Sequence, residues 1–132
     1  MIKYKYNLTI IIPTYNSSKY IVKNLSKLIF LLKKNFTKFS IIVIDDKSKD
    51  DTAKTIKKNF KNLKLITNNK NYGKGFCIKK GIKFSSKLKN YIFIDDDLPY
   101  LNKFIFFCKT VLSSKYDFVI ANRKKQMKDI NL

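Results

Sequence analysis

The sequence has no histidine and no glutamate, a single arginine, Arg123, and only two cysteines, two prolines and three glycines in 132 residues. Without histidine there is no Ser-His-Asp triad, no Cys-His dyad, no histidine general base and no His-containing zinc site. Any acid, base or metal chemistry therefore falls to aspartate. The longest apolar run inside an expected helix, Leu28-Ile29-Phe30-Leu31-Leu32, is far short of the ~20 residues of a membrane span. Nothing resembling a signal peptide follows Met1, and Cys77 and Cys108 lie amid apolar residues, so a reducing cytoplasm is the expected setting.

What is present is lysine. Lys plus Arg number 29 against 9 acids, a formal charge of +20. The lysines come singly or in pairs along the whole chain. Nucleic-acid binding calls for clustered Arg and Lys with base-reading side chains, which one arginine does not supply, and no nucleic acid is expected as partner. Attraction to anionic lipid is compatible with the charge, and peripheral membrane contact is an accessory expectation.

All nine acids are Asp, and seven fall in two clusters: Asp45, Asp46, Asp50 and Asp51, then Asp95, Asp96 and Asp97. In so basic a chain, concentrating the few negative charges points to function. Both clusters close apolar runs. Leu8–Ile12 reads as a buried strand ended by Pro13; Ser40–Ile44, Leu63–Thr67, Tyr91–Ile94 and Phe118–Ala121 read as four more.

Between the strands lie helical patterns. Ile21, Leu25, Leu28, Ile29 and Leu32 share one face behind the capping candidates Asn16, Ser17 and Ser18; Ala53, Ile56 and Phe60 share a second behind Asp50, read as its N-cap. Cys77, Ile78 and Ile82 are expected inward on a third helix, and Leu101, Phe104, Ile105, Cys108, Val111 and Leu112 on a fourth. The order βαβαβαβαβ implies an α/β fold, a mostly parallel sheet with helices on both faces and ligands at the carboxyl ends of the strands. One domain over residues 1–123 and a loose tail over 124–132 are expected.

Three adjacent carboxylates at a strand end require a compensating cation. Oxygen-only donors favour Mg²⁺ or Mn²⁺, which usually completes its shell with phosphate oxygens and water. Lys74, between Gly73 and Gly75 in a loop opening a helix, adds positive charge and N–H groups suited to a diphosphate.

These residues resemble the family 2 glycosyltransferases with the Rossmann-like GT-A nucleotide-diphospho-sugar transferase fold. The resemblance rests on Ile11-Ile12-Pro13-Thr14-Tyr15-Asn16, Val43-Ile44-Asp45-Asp46-Lys47-Ser48-Lys49-Asp50-Asp51-Thr52, Asn71-Tyr72-Gly73-Lys74-Gly75 and Asp95-Asp96-Asp97-Leu98, in that order. The Asn71–Gly75 loop, Asp95-Asp96-Asp97-Leu98 and Ile120-Ala121-Asn122-Arg123 together look most like the branch that glycosylates polyprenyl (dolichyl or undecaprenyl) phosphates.

The resemblance implies that Pro13 and Tyr15 line the base pocket and that Asp45 and Asp46 hold the nucleotide. It also implies that Lys74 lies near the diphosphate, Asp96 contacts the nucleotide sugar, and Asp95 and Asp97 place the metal. It implies inverting, metal-dependent transfer from a UDP- or GDP-sugar to a lipid-phosphate or glycan acceptor. Family members continue further, with acceptor contacts and any catalytic base in that continuation, so this stretch reads as the nucleotide-binding half and its catalytic base is unassigned. The competing readings are an inactive nucleotide-sugar-binding remnant and a basic module for lipid surfaces or nucleic acid.

Overall fold

The computed structural model describes residues 4–85, 90–113 and 119–120. The chain runs β1 (Tyr4–Thr14), α1 (Ile21–Asn35), β2 (Phe36–Asp45), α2 (Thr52–Asn59), β3 (Lys64–Thr67), α3 (Lys74–Phe84) and β4 (Asn90–Phe93), then a 3₁₀ turn (Leu101–Lys103) and α4 (Phe104–Leu112). By its internal contacts the chain divides into two compact units, residues 1–101 and 102–132. In the second unit, Phe104, Cys108 and Leu112 are the buried side chains of α4, three of those expected inward. The expected fifth strand lies largely outside the described residues; Val119 and Ile120, the two that are described, are not in a strand. Arg123 and the tail also lie outside them.

In the first unit, four parallel strands form one sheet in the order β3-β2-β1-β4. Both central strands are apolar on both faces, which is why they read as unbroken β-branched runs: Leu8, Ile10, Ile11 and Ile12 of β1 and Val43 and Ile44 of β2 are fully buried. The steps β1→β2 and β2→β3 go one way and β3→β4 goes back across the sheet. Right-handed crossovers therefore put α1 and α2 on one face and α3 on the other. The packing agrees: α1 touches α2, and α3 lies on β1 and β2.

Three expectations are corrected. Pro13 does not end the first strand, because β1 continues to Thr14 with Pro13 paired to Ile44. The Thr14 carbonyl accepts the Asp46 N–H on the β2 side, so by alternation the Pro13 nitrogen faces β4, whose pairing has already stopped at Ile11–Phe93 and needs no donor there. Ile82 is 42% exposed, and the inward face of α3 is Cys77 and Gly81. Gly81 lies so close to the sheet that a Cβ there would come within 2.5 Å of Ile11 Cγ2, and this approach rotates Ile82 outward. Finally, α1 begins after Tyr20 with no side-chain cap; Asn16, Ser17 and Ser18 are used elsewhere.

Candidate nucleotide-binding cleft

The connections from β1 and β3 leave the sheet in opposite directions, which opens a crevice beyond the carboxyl ends of β1 and β4. A cleft of about 210 Å³ lies there, lined by Pro13, Thr14, Tyr15, Asp46, Lys74, Cys77, Asp95 and Asp96. Six of the eight expected site residues are thus brought together, while Asp45 and Asp97 are not in the lining. Thr14 and Cys77 are additions; as a strand-end threonine and an apolar-helix cysteine, neither carried a sequence signal of its own.

Each of the four loops on this edge holds one residue with positive φ: Asn16 after β1, Lys47 after β2, Gly73 after β3 and Leu98 after β4. Only glycine adopts that conformation freely. For Lys47 and Leu98 it costs energy that the surrounding contacts must supply.

Those contacts form a closed ring of ties, loop to loop. Asn16 and Ser48 join the first and second loops: the Asn16 N–H donates to Ser48 Oγ (2.9 Å) and the Lys49 N–H to Asn16 Oδ1 (2.7 Å). The Ser18 N–H donates to Asp50 Oδ2 (3.1 Å), and Asp50 Oδ1 accepts both the N–H (3.0 Å) and the hydroxyl (2.5 Å) of Thr52. The cap position of α2 is Asp51, so Asp50 secures the helix start from one residue further out.

Asp46 joins the second loop to the third. Its Oδ1 accepts the Asn68 amide (2.7 Å) and the Tyr72 N–H (3.0 Å), and its Oδ2 accepts the Gly73 N–H (2.7 Å). Asn68 is held in turn by the Lys80 ammonium on its Oδ1 (2.6 Å). The ion pair of Lys74 with Asp95 joins the third loop to the fourth. Asp96 completes the circle back to the first: its Oδ2 accepts the Thr14 hydroxyl (2.6 Å) and the Ser17 hydroxyl, its Oδ1 accepts the Tyr20 phenol (3.3 Å), and its carbonyl takes the Asn24 amide (2.9 Å).

Three of the four ties, and part of the fourth, end on an aspartate. The clustered acids of this +20 chain are thus also the anchors of its loops. Asp45 stays within its own turn, 1% exposed, accepting the Ser48 hydroxyl at 2.5 Å. Among the described residues no three acidic or thiol side chains converge as a ready-made cation site. Asp95 lines the cleft and is paired with an ammonium; Asp97, two residues on, is exposed.

The electrostatics follow this bonding. Burial pushes the Asp46 carboxyl upward, but the bonds from Tyr72, Asn68 and Gly73 outweigh it and hold the group below the ordinary value. At Asp50 burial is likewise outweighed, by the bonds from Thr52 and Ser18, which bring the carboxyl down to about 2. The Ser17 bond draws the Tyr20 phenol down, yet burial and the charges of Asp96 and Asp97 together leave it raised. Burial drives the Cys77 thiol up to about 12, reinforced by Asp46, so it lines the cleft as a neutral group and not as a nucleophile.

A carboxyl depressed in the folded state contributes stability above its unfolded value, here 3.8, and loses it as pH falls through the folded value. The Asp50 contribution is therefore expected to persist down to pH 4 and to disappear between pH 4 and about 2. Urea unfolding of wild type and Asp50→Asn across this range checks it: the stability gap between them should close only below pH 4.

Comparison with known proteins gives the cleft a context. The family model "Glycosyl transferase family 2" matches residues 9–131. The chain is 40% identical over 94 residues to an uncharacterized protein of Methanocaldococcus jannaschii, covering 66% of this chain and 38% of that protein. It is 34% identical over 100 residues to the dolichyl-phosphate beta-glucosyltransferase of Dictyostelium discoideum, covering 68% and 30%. A mannosyltransferase of Pyrobaculum calidifontis, solved in complex with GDP-Man and Mn²⁺, superposes with a TM-score of 0.70 at 22% identity, over 82% of this chain and 33% of that one. The architecture is the GT-A fold. The chain spans little more than a third, or less, of the length of these relatives.

Proposed function

Because the chain belongs to glycosyl transferase family 2, we propose that residues 1–123 form the donor half of a glycosyltransferase, binding a UDP- or GDP-sugar in the cleft between β1 and β4. The observation that carries this reading is the convergence of Pro13, Tyr15, Lys74, Asp95 and Asp96 on one crevice at the point where the strand order reverses. Tyr15, 42% exposed, offers its ring to the base beside Pro13. Asp46 acts mainly through the loop it anchors, since the loop's own donors already occupy both its oxygens.

The donor set suits a divalent ion. Asp95 and Asp97 are the residues that would hold Mg²⁺ or Mn²⁺, a cation that needs only one or two protein carboxylates when phosphate oxygens and water complete its shell. When bound, it neutralises charge on the departing diphosphate. Lys74, now paired with Asp95, is placed to turn its ammonium to that diphosphate, and the positive end of α3 lies beside it. Transfer is proposed to proceed with inversion, by in-line attack of an acceptor oxygen. A polyprenyl phosphate suits this chain as acceptor because it is already ionised and requires little basic assistance.

Calorimetric titration of UDP and GDP with and without Mn²⁺ tests the donor site. Metal is expected to raise the affinity for one of them at least about tenfold, the effect of a single charge-assisted contact. Asp97→Asn should abolish that gain while leaving metal-free binding intact. Affinity indifferent to metal would overturn the assignment of Asp95 and Asp97. Label transferred from the preferred donor to polyprenyl phosphate in detergent tests the acceptor.

A further inference from the structure

Among the described residues of the first unit, α3 is the one helix on its face of the sheet, and its outer side is exposed. Opposite the buried pair Cys77 and Gly81, a 100° rotation per residue brings Phe76, Lys79 and Lys83 into one outward row. Phe76 is 43% exposed and stacks on the equally accessible Tyr72, ring centroids 4.2 Å apart. The Lys70 ammonium lies 5.0 Å over the Tyr72 ring, and Ile82 flanks the lysine row.

Such a stacked pair offers a rigid apolar contact that gains by being covered. The covering surface must also accept positive charge, since Lys70, Lys79 and Lys83 are exposed there and residues 68–85 contain no acid. We propose that the outer face of α3 is a docking surface for an anionic lipid bilayer: Tyr72 and Phe76 enter the headgroup region, and Lys70, Lys79 and Lys83 pair with lipid phosphates.

The chemistry favours a bilayer over a folded protein partner. The aromatic rings are of the kind enriched at membrane interfaces, and the lysines have long stems that let the ammonium rise to the phosphate plane while the methylenes stay on the apolar side. Cation attraction supplies the affinity and the rings supply the depth. The nucleotide cleft opens from the loop that carries Tyr72, so docking here holds the cleft at the lipid surface. This inference is independent of the donor reading.

The test is co-sedimentation of the 132-residue chain with large unilamellar vesicles of phosphatidylcholine, alone or with phosphatidylglycerol. A chain of this charge will adhere to anionic vesicles to some degree through any face. The decisive comparison is therefore between Lys79→Glu with Lys83→Glu, on the proposed surface, and the same charge change at the exposed Lys23 and Lys27 of α1, on the opposite face. The first pair should weaken partitioning about tenfold or more and the second far less.

The chain has no tryptophan, so Phe76→Trp is a single reporter whose emission should shift to the blue on anionic vesicles. Circular dichroism checks that each variant folds. Equal losses from the two lysine pairs, or unchanged Trp emission, would overturn the proposal. So would retention on polyuridylate that matches vesicle binding and is lost in the same variants.

Discussion

Asp46→Ala is expected to weaken nucleotide binding at least tenfold and to destabilise the folded chain. Asp46 is 4% exposed and is the shared acceptor for two backbone N–H groups and one side-chain amide. Each donor stranded by its removal costs about 1–3 kcal/mol if buried, toward the lower end for Tyr72 and Gly73, which solvent can reach, so a total near 2–4 kcal/mol is expected. The loop it releases carries Lys74 and the start of α3, which is how a residue with little free acceptor capacity still governs the ligand. Asp46→Asn should lose nearly as much, because an amide nitrogen would confront a donor. Chemical denaturation and calorimetric titration of UDP or GDP check both parts. A folded Asp46→Ala protein with unaltered affinity would show that the Gly73 loop is not part of the site.

Asp96→Ala should act on the metal-dependent part of binding. Asp96 carries three hydroxyl bonds, from Thr14, Ser17 and Tyr20, and so pins the β4 loop to the end of β1 and the start of α1. Without it, Asp95 and Asp97 lose their aim. The gain in nucleotide affinity on adding Mn²⁺ should fall about tenfold, with metal-free affinity preserved and a stability loss of about 1–3 kcal/mol from the stranded hydroxyls. A second readout is the Tyr20 phenol, whose raised pKa rests partly on the Asp96 charge and should fall toward its ordinary value in an alkaline ultraviolet titration of Asp96→Asn. A variant in which metal-free and metal-dependent binding decline together would assign Asp96 a general structural role.

The positions of β1 and β2 were legible because both are buried on both faces, and burial of that kind leaves a continuous apolar signature. The helix faces were legible where the periodic residues are large, as with Ile21, Leu25, Leu28 and Leu32 of α1. At α3 the same reasoning failed, since the residue nearest the sheet is Gly81, which has no side chain to announce itself. The loops illustrate a different limit. That seven aspartates gather on one edge could be read directly, but what each one binds depends on the loop folded opposite it. Asp46 and Asp96 were read as ligand contacts, and the bonds by which each also anchors the neighbouring loops were not foreseen. Their partners Asn68, Ser17, Tyr20 and Asn24 are ordinary polar residues far away in sequence, and nothing local distinguishes them.

The central place of β1 in the sheet has a consequence during synthesis. Of the four strands it emerges first, yet its second partner, β4, lies 82 positions further along, as in the pairing of Ile11 with Phe93. After β2 has been made, the ribosome must still add the residues from Asp45 to Asn90, which at typical elongation speeds takes about 2–10 s. For that interval one edge of a strand as apolar as Leu8–Ile12 stands open, a template for intermolecular pairing. The chain's strong self-repulsion then becomes an asset, because nascent copies carrying many lysines and few acids keep one another at a distance until β4 arrives.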